Sequence, residues 1–449
     1  MTKTIKLALV AAMAMGATSA FATNGDSLIG TGAKSRAMGG TGIAHFNGSE
    51  SATSNPALIT MTKGSNWSFG GTYFRPDVEV TTKGTSVLAP GDELNDLTAT
   101  SDAKHNVIPY VALTENLGNG FVIGASMFGS AGMGTDWRSS APYEDGFAGG
   151  VPGLWSMRSN LLLLKFSVPM AYGQDNWSVG IAPVMMYGSL DMSFNTQNTD
   201  NTGAQIAGID DVGNGSSASF GLGVELGAAY TLPDMGITLG ATYHSSIEME
   251  YKDQISTTGA AFGFGLSPVG AGGFSDKLEQ PAEYGLGIDW TQGDISVTAD
   301  WKNVRWGNAR GYQDFGWENQ DVYALGAEYR MDDLALRIGY NYAKNPIKNN
   351  TDSSGILNSS VVGDGTLAGG GAQVGHAINA LNHVMFPAVT ERHYTIGAGY
   401  QFTKNVGADF AFTYATSPDV VVRADTVALG KLKVTNDQIA VSANLNYSF

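Results

Sequence analysis

The sequence contains no cysteine, so no disulfide bond stabilises the chain. It also lacks long apolar runs: beyond the N-terminus, the longest candidate is residues 161–164, which ends at Lys165. A helix that spans a bilayer needs about 20 predominantly apolar residues, which this chain does not offer. Charged residues are scarce at 15%, and the formal net charge of −16 argues against a nucleic-acid partner.

The first 22 residues are predicted to form a secretory signal peptide. Lys3 and Lys6 supply a basic start, residues 7–17 a short apolar core, and residues 20–22 an A-F-A cleavage site. The apolar core is too short to span a bilayer as a helix. The mature chain is therefore predicted to be exported, either as a soluble protein or as a transmembrane β-barrel.

Period-2 alternation dominates the chain after residue 65. The clearest example is residues 219–230, in which Phe220, Leu222 and Leu226 alternate with small or charged residues. Strands with one apolar face fit a soluble sandwich, whose apolar faces pack inwards. They also fit an outer-membrane barrel, whose apolar faces contact lipid and whose polar faces line the lumen.

Three features favour the barrel. Candidate tight turns alternate strictly with long connections, as in barrels with short periplasmic turns and long outer loops. Aromatic side chains lie at strand ends, where interfacial girdles are expected. The chain ends in an alternating strand whose last residue is Phe449, which resembles the assembly signal of outer-membrane proteins. The turns are 115–120, 173–176, 232–235, 291–294, 330–333 and 403–405, and the girdle residues are Trp67, Trp177, Trp290, Trp301 and Tyr251.

Residues 24–60 are glycine-rich and carry no sustained periodicity. The fragment G-T-G-A-K-S at 30–35 echoes a phosphate-binding loop, but no glycine precedes Lys34 and no strand precedes the fragment. The run K-S-R-A-M-G-G-T-G-I-A at 34–44, followed by N-P-A at 55–57, resembles the N-terminal hatch of the FadL-type outer-membrane transporters. That resemblance implies a fourteen-stranded barrel whose N-terminal segment folds inside the lumen.

The predicted fold class is therefore all-β: a transmembrane antiparallel β-barrel of about 14 strands with an N-terminal hatch plugging the lumen. The predicted domains are a signal peptide at 1–22, a hatch at 23–64 and the barrel at 65–449. The residues predicted to hold or gate the hatch are Met38, Gly39, Gly40, Asn55, Pro56 and Ala57.

The third strand begins with clean alternation at residues 121–127 and then loses it. Glycine inside a strand often marks a bulge or bend, so Gly129, Gly132 and Gly134 are predicted to form a kink. The family resemblance implies that such a kink opens the barrel wall and releases substrate sideways. The alternative is the ordinary glycine content of a glycine-rich chain. Phe128 and Met133, in the same stretch, are predicted to contact ligand.

Two outer connections contain apolar clusters. One includes Phe262, Phe264 and Leu266, which are predicted to bind ligand, and the other spans residues 378–386. Exposed apolar clusters on an exported protein favour ligand capture, but the same residues fit packing over the barrel mouth. The family resemblance favours capture.

The sequence is compatible with a neutral ligand and with one that carries a carboxylate. Family members that carry fatty acids hold the carboxylate with basic residues facing the lumen, whereas Tyr187 here is followed by Gly188 to Asp191 without a cation. Because an unpaired buried carboxylate is costly, neutral ligands are favoured unless Lys165, Arg158 or Arg337 substitutes. Long-chain fatty acids and hydrocarbons both remain possible substrates.

No enzyme, cofactor or metal site is predicted. His376 and His383 are interpreted as solvated loop histidines, and no G-x-S-x-G motif occurs. The predicted function is passive uptake of hydrophobic compounds across the outer membrane of a Gram-negative bacterium. Predicted partners are hydrophobic small molecules, outer-membrane lipid with lipopolysaccharide, and the barrel assembly machinery. The alternatives are a structural or adhesive barrel and an outer-membrane hydrolase.

Overall fold

The computed structural model describes residues 24–85, 93–140, 153–199, 205–261, 275–348, 378–424 and 430–449. The predicted signal peptide lies outside this range. Within it, no helix is long and apolar enough to cross a bilayer. The described helices are short: α1 (Ala33–Ala37), α2 (Ile255–Ala261), a π-helix (Leu381–Met385), and 3-10 turns at Gly48–Thr53, Pro56–Met61, Gly153–Ser156, Pro233–Met235 and Trp306–Asn308.

The strands join into a single antiparallel sheet. Their bounds are β1 (Ser65–Thr85), β2 (Glu93–Thr100), β3 (Asn106–Gly118), β4 (Phe121–Asp136), β5 (Arg158–Ser167), β6 (Met170–Gln174), β7 (Trp177–Thr199), β8 (Gln205–Val212), β9 (Ser217–Leu232), β10 (Ile237–His244), β11 (Glu283–Gln292), β12 (Ile295–Val304), β13 (Gln320–Met331), β14 (Leu334–Ala343), β15 (Arg392–Gln401), β16 (Val406–Thr416), β17 (Val420–Ala424) and β18 (Gly430–Ser448).

The sheet closes on itself as a barrel, because β1 pairs with β18 from Asn66–Ser448 to Lys83–Lys431. Strands β2, β8 and β17 pair only with the outer ends of β1, β7 and β18, so they extend the wall outwards without widening it. β5 and β6 both pair with β4 and β7, so they are two pieces of one wall strand. The wall therefore has fourteen strands, which confirms the predicted fold class.

Alternation along each strand separates a lipid face from a lumen face. Phe220 and Leu222 on β9 are 66% and 79% exposed, whereas Glu225 on the same strand is buried. On β18, Val441 and Leu445 face outwards, while Ser442 and Asn444 are buried. Such a pattern, with apolar residues outside and polar residues inside, is that of an outer-membrane barrel rather than a sandwich.

All six predicted tight turns join consecutive wall strands, and the long connections lie at the opposite end. The long connection at 195–217 includes a β-hairpin formed by the end of β7 with β8. The predicted girdle position of Tyr251 is wrong. β10 ends at His244, and the chain beyond it turns inwards and forms a β-bridge from Ile247 to Gln280. Tyr251 is therefore fully buried.

Residues 24–62 contact wall strands around most of the circumference. α1 packs against β14, β15, β16 and β18, and the turn Pro56–Met61 packs against β6, β7 and β9 on another side. A segment can contact all these strands only from inside the ring. Most of its residues are buried, including polar ones such as Asn47 and Thr41.

Candidate functional site

The third wall strand, β4, leaves its neighbour β3 halfway along its length. Its ladder with β3 ends at the pair Tyr110–Phe128, whereas its ladder with β5 continues to Asp136–Arg158. A straight wall strand would pair on both sides along its whole length. The outer half of β4 is therefore paired with only one wall strand.

A bulge lies at the point of departure. The register of β4 against β5 shifts between Gly129 and Ala131, which leaves Ser130 as the extra residue. From Ser126 onwards the side chains of β4 no longer alternate, and nearly all are buried. The outer half of β4 thus bends into the lumen, and the predicted kink glycines Gly129, Gly132 and Gly134 all lie in the bent part.

The resulting gap between β3 and β4 has defined ends. On β3, Pro109 is the first residue beyond the last β3–β4 pair, Tyr110–Phe128. It lacks an N–H group, so it cannot donate to a neighbouring strand. At the outer end, the N–H of Asp102 donates to the carbonyl of Asp136 at 2.9 Å, and the Asp136 N–H donates to Ser101 Oγ at 2.9 Å. Between these two points β3 and β4 share no main-chain pairing, and the buried Ile108 side chain of β3 packs against Gly129.

The start of the hatch takes the place of β3 beside the bent strand. The N–H of Leu28 donates to the carbonyl of Ser130 at 3.2 Å, and the N–H of Gly132 donates to the carbonyl of Asp26 at 3.0 Å. Ser27 and Ala131 form a β-bridge. These hydrogen bonds satisfy main-chain groups of β4 that would otherwise be unpaired inside the barrel.

Asp26 also links the hatch to an outer connection. Its carboxylate accepts hydrogen bonds from Tyr312 Oη and from Gln280 Nε2, the latter at 3.3 Å. Burial raises the pKa of Asp26 to about 6, against the opposing effect of these hydrogen bonds. A single hatch residue therefore contacts the kinked strand through its main chain and the barrel mouth through its side chain.

An apolar pocket of about 20 Å³ lies beside the bent strand. Its one amide side chain, Asn382, is hydrogen-bonded at both ends: Nδ2 donates to the Phe315 carbonyl at 2.7 Å, and Oδ1 accepts from Trp317 Nε1 at 3.2 Å. The pocket consequently presents carbon, sulfur and aromatic surface. Its walls are Met133, Leu161, Leu190, Met192, Ile255, Leu278, Tyr312, Phe315, Trp317, Asn382 and Phe386.

Three rings stand beside this pocket as a compact cluster. The centroid distances are 4.6 Å for Trp306–Tyr312, 4.8 Å for Tyr312–Trp317 and 5.2 Å for Trp306–Trp317. Tilted and edge-on packing at these distances is favourable for aromatic pairs. Because Gly25 lies against the Trp306 ring, the cluster also contacts the start of the hatch.

Below the pocket is a lumenal cavity of about 110 Å³ that is lined by Phe128, Ser130 and Leu28 together with charged side chains. The two lysines are paired: Lys165 Nζ lies 2.9 Å from Glu225, and Lys302 Nζ lies 3.5 Å from Glu283. This cavity connects the bent strand with the hatch through a polar environment.

The three cations considered as carboxylate partners are all engaged. Lys165 pairs with Glu225, Arg158 pairs with Asp191, and Arg337 contacts both Glu328 and Asp409 at 2.6 Å. A ligand carboxylate would have to compete with these protein carboxylates.

The centre of the hatch lies against the opposite wall. Met38 is fully buried, and Gly39 and Gly40 have φ values of 71° and 87°. A side chain at Gly40 would collide with the Ile29 carbonyl, so only glycine suits this position. Further along, Asp300 Oδ2 on β12 accepts from the Gly42 and Ile43 N–H groups at 2.8 and 3.0 Å.

The Asn55-Pro56-Ala57 turn attaches the end of the hatch to the wall. Asn55 Oδ1 accepts from the Ala57 N–H at 3.0 Å, which caps the 3-10 turn. Asn55 Nδ2 donates to the Ile43 carbonyl at 2.7 Å and lies 3.3 Å from the Ala228 carbonyl on β9. One side chain thus joins two parts of the hatch to a wall strand.

Some predicted site residues cannot be placed. Phe262, Phe264, Leu266 and His376 lie outside the described residues. The other apolar segment, residues 378–386, is mostly buried and packs with Trp137 and neighbouring loop residues in one large cluster. His383 belongs to this buried segment, so the interpretation of His383 as solvated is wrong. Burial lowers the pKa of His383 to about 4, and its Nδ1 is 2.8 Å from the Asn379 carbonyl.

Phe128 and Met133 face different spaces. Phe128 lines the polar lumenal cavity and packs with Tyr110, whereas Met133 lines the apolar pocket. Sequence reasoning missed Asp26 and the ring cluster. The aromatic-rich stretch 306–317, with Trp306, Tyr312, Phe315 and Trp317 in twelve residues, was a usable signal for the latter. Within the described residues no group of histidine and acidic side chains is arranged to hold a metal ion.

The fold and the site together define an outer-membrane β-barrel with an internal N-terminal segment beside a bent wall strand. Residues 7–372 match the family model for outer membrane protein transport protein (OMPP1/FadL/TodX), and the chain belongs to that family. This confirms the predicted family and the outer-membrane location.

Individual relatives are distant. Outer membrane protein P1 of Haemophilus influenzae is 21% identical, with 94% of this chain and 90% of that protein covered. An uncharacterised Chlorobium limicola protein is 43% identical over 84 residues, which cover 18% of this chain and 41% of that protein. The crystal structure of the Pseudomonas putida toluene transporter TodX superposes with a TM-score of 0.63 at 18% identity, covering 95% and 100% of the two chains. At that identity the superposition shows the fold alone.

Proposed function

We propose that this protein is a passive channel that takes up hydrophobic compounds and releases them sideways through the gap between β3 and β4. The observation that carries the proposal is the exchange of pairing partners: beyond Phe128, β4 pairs with hatch residues 26–28 instead of β3. This exchange supports a wall opening that is lined on its inner side by the bent strand.

The route begins at the apolar pocket. Met133 belongs both to the pocket wall and to the bent strand, and Phe128 stands at the last paired position of β3 and β4. A ligand that leaves the pocket along β4 therefore travels beside the gap. On the outer side, Val107 of β3 is 41% exposed at the gap edge, facing lipid. Because the hydrocarbon phase of the membrane is apolar, a hydrophobic ligand that takes this route does not have to enter water.

Neutral compounds are the proposed substrates of the pocket. Its amide is satisfied internally, and the three candidate cations are each paired with protein carboxylates. Without a partner, a buried ligand carboxylate would lose its hydration uncompensated. The toluene transporter in the comparison has a neutral substrate by its name, which agrees with this assignment.

The hatch is proposed to act as the plug that keeps small polar solutes out, held by Met38, Gly39, Gly40 and the 55–57 turn. Its contacts with β12, β14, β15 and β9 support this role. We further propose contacts with lipopolysaccharide on the lipid face and recognition of the terminal strand by the barrel assembly machinery. Phe449, 61% exposed at the end of the lipid face, supports the latter.

Deletion of Ser130 tests the proposal. Removing the extra residue brings the two halves of β4 into one register with β5, which favours a straight strand that pairs with β3. We expect a folded barrel that still binds a hydrophobic probe but no longer supports uptake by cells at limiting substrate. A one-residue deletion in the 403–405 turn serves as the control. Normal uptake through a wall whose β3–β4 ladder is demonstrably complete would reject lateral release.

A further inference from the structure

Among the residues that the structure describes, a cation inside the barrel has no counter-ion. Arg36 lies on α1 and is 2% exposed. The position of α1 is fixed by the wall: Thr395 Oγ1 donates to the Ala37 carbonyl at 2.9 Å and accepts from the Gly39 N–H at 3.0 Å. Asn341 Nδ2 donates to the Gly39 carbonyl at 3.0 Å. These bonds hold the Arg36 side chain in the lumen.

The Arg36 guanidinium makes neither a hydrogen bond nor an ion pair with any described residue, and its Nη2 is completely enclosed. Burial lowers the pKa of Arg36 to about 10, and no carboxylate lies near enough to oppose this. The neighbouring cation on the same helix differs, since Lys34 Nζ lies 3.8 Å from Asp409. A buried charge is expensive unless it is paired and hydrogen-bonded, and a guanidinium offers five N–H donors.

A second nitrogen-bearing side chain adjoins the first. His393 on β15 is 1% exposed and lies within range of electrostatic interaction with Arg36. Neither of its ring nitrogens makes a well-aligned hydrogen bond, and the nearest main-chain partner is that of Asn341. His393 is directly opposite Asn341 in the β14–β15 ladder, which places it next to the residues that hold α1. His393 and Thr395 are both on the buried face of β15, and Thr395 bonds the carbonyl of Ala37, the residue after Arg36, so the two buried side chains lie close together beside α1.

We propose that Arg36 and His393 form a buried binding site for a small monovalent anion. The guanidinium can donate two parallel hydrogen bonds to a carboxylate or contact a halide, and the imidazole can donate a third. The anion has two conceivable sources: an inorganic ion from solution, or the carboxylate of an amphiphile in the lumen. The site is separate from the apolar pocket and does not depend on the proposed function.

Ordered water is the competing occupant. Asn341 Oδ1, opposite His393 in the β14–β15 ladder, is also buried without a partner, and water molecules between this oxygen and Arg36 would satisfy both. Water would neutralise no charge. The response of the protein to anions therefore separates the two occupants.

The experiment uses the full barrel purified in detergent and measures the temperature at which the folded, fast-migrating band is lost. Sodium chloride, sodium acetate and sodium octanoate are compared with the sodium salt of a bulky sulfonate at equal ionic strength and pH. The variants are Arg36→Met and Arg36→Gln, which remove the charge, and Lys34→Met, which removes the paired cation two residues earlier.

We expect anions to raise the midpoint of the wild type and of Lys34→Met, because a ligand that binds only the folded state stabilises it. The rise should be lost in Arg36→Met and Arg36→Gln. An equal rise of the midpoint with chloride and acetate indicates an inorganic ion. A rise with octanoate alone indicates the headgroup of an amphiphile. Both outcomes support the site. A wild-type midpoint that is equal in all four salts, or a rise that persists without Arg36, would overturn it and leave water as the occupant.

Discussion

The main-chain carbonyl of Asp26 accepts a hydrogen bond of 3.0 Å from the N–H of Gly132, so the first described residues of the chain are paired with its third wall strand. Before Phe128, β4 forms main-chain hydrogen bonds with β3, and beyond Phe128 this contact with the hatch takes their place. Loss of the contact would leave β4 unpaired on one side inside the lumen, which ties the position of the hatch to the bend of the strand.

Leu28→Pro tests this pairing. Proline has no N–H to donate to the Ser130 carbonyl, so one hydrogen bond worth about 0.5–1.5 kcal/mol is lost. We expect faster hydrogen exchange in the peptide that contains residues 128–134, by up to about tenfold, with no change in the melting of the barrel. Leu28→Ala keeps the N–H and is the matched control. Equal exchange in both variants would show that the hatch does not protect β4.

The terminal strand provides a test of the lipid and lumen faces. Leu445→Arg places a charge on the lipid face, a change that costs up to roughly 2–4 kcal/mol at the bilayer midplane and less towards the interface. We expect a lower free energy of unfolding and less assembled barrel in the membrane fraction. Asn446→Arg, one residue along, enters the open space that Asn446 shares with Asp409, and its effect should be much smaller. Similar losses for the two variants would contradict the assigned faces.

The pocket assignment leads to a test with Met133. Met133→Lys brings an ammonium group into an apolar pocket whose walls carry no acid, so binding of a neutral hydrophobic probe should fall sharply. Met133→Leu conserves volume and should leave the dissociation constant nearly unchanged. The measurement is probe titration by fluorescence on purified protein. Unaltered binding by the lysine variant would remove this pocket from the transport route.

Hatch docking should weaken as pH rises. Burial raises the pKa of Asp26 to about 6. It raises the pKa of Glu50, which lies in the hatch turn Gly48–Thr53, to about 7. A released, solvated hatch would have the ordinary values of 3.8 and 4.5. The docked state therefore binds more protons. The associated stabilisation is complete below the ordinary values and is lost as pH rises through about 6 and 7.

Single-channel recording between pH 5 and pH 8 checks this expectation. We expect more frequent opening at the higher pH, and a flatter profile for the double variant Asp26→Asn with Glu50→Gln. More frequent opening at the lower pH would reverse the assigned sign and show that other groups control the hatch.

Much of the fold was predictable because barrel strands repeat a local pattern. The six turns, the outward face that ends at Phe449 and the turn capped by Asn55 each depend on residues close in sequence. The family resemblance rested on a short run within the hatch. Alternation alone failed at Tyr251, because residues 247–251 form a second short ladder that points inwards.

The site was less accessible to sequence reasoning. Asp26 and Tyr312 are 286 residues apart, and neither belongs to a motif. The pairing of Lys165 with Glu225 and the isolation of Arg36 likewise depend on which strands become neighbours after closure. Local sequence identifies charged side chains, but only the closed barrel determines which of them have partners.

The central claim is that ligand leaves through the wall, and photocrosslinking during uptake tests it most directly. A photoreactive amino acid at Val107 stands at the edge of the gap, and the same group at Val179 on β7 has similar exposure to lipid away from the gap. A third site, Asn66, lies at the periplasmic mouth. We expect a labelled hydrophobic substrate to be captured at Val107 and not at Val179 or Asn66. Capture at Asn66 with none at Val107 would show that the substrate passes straight through the barrel.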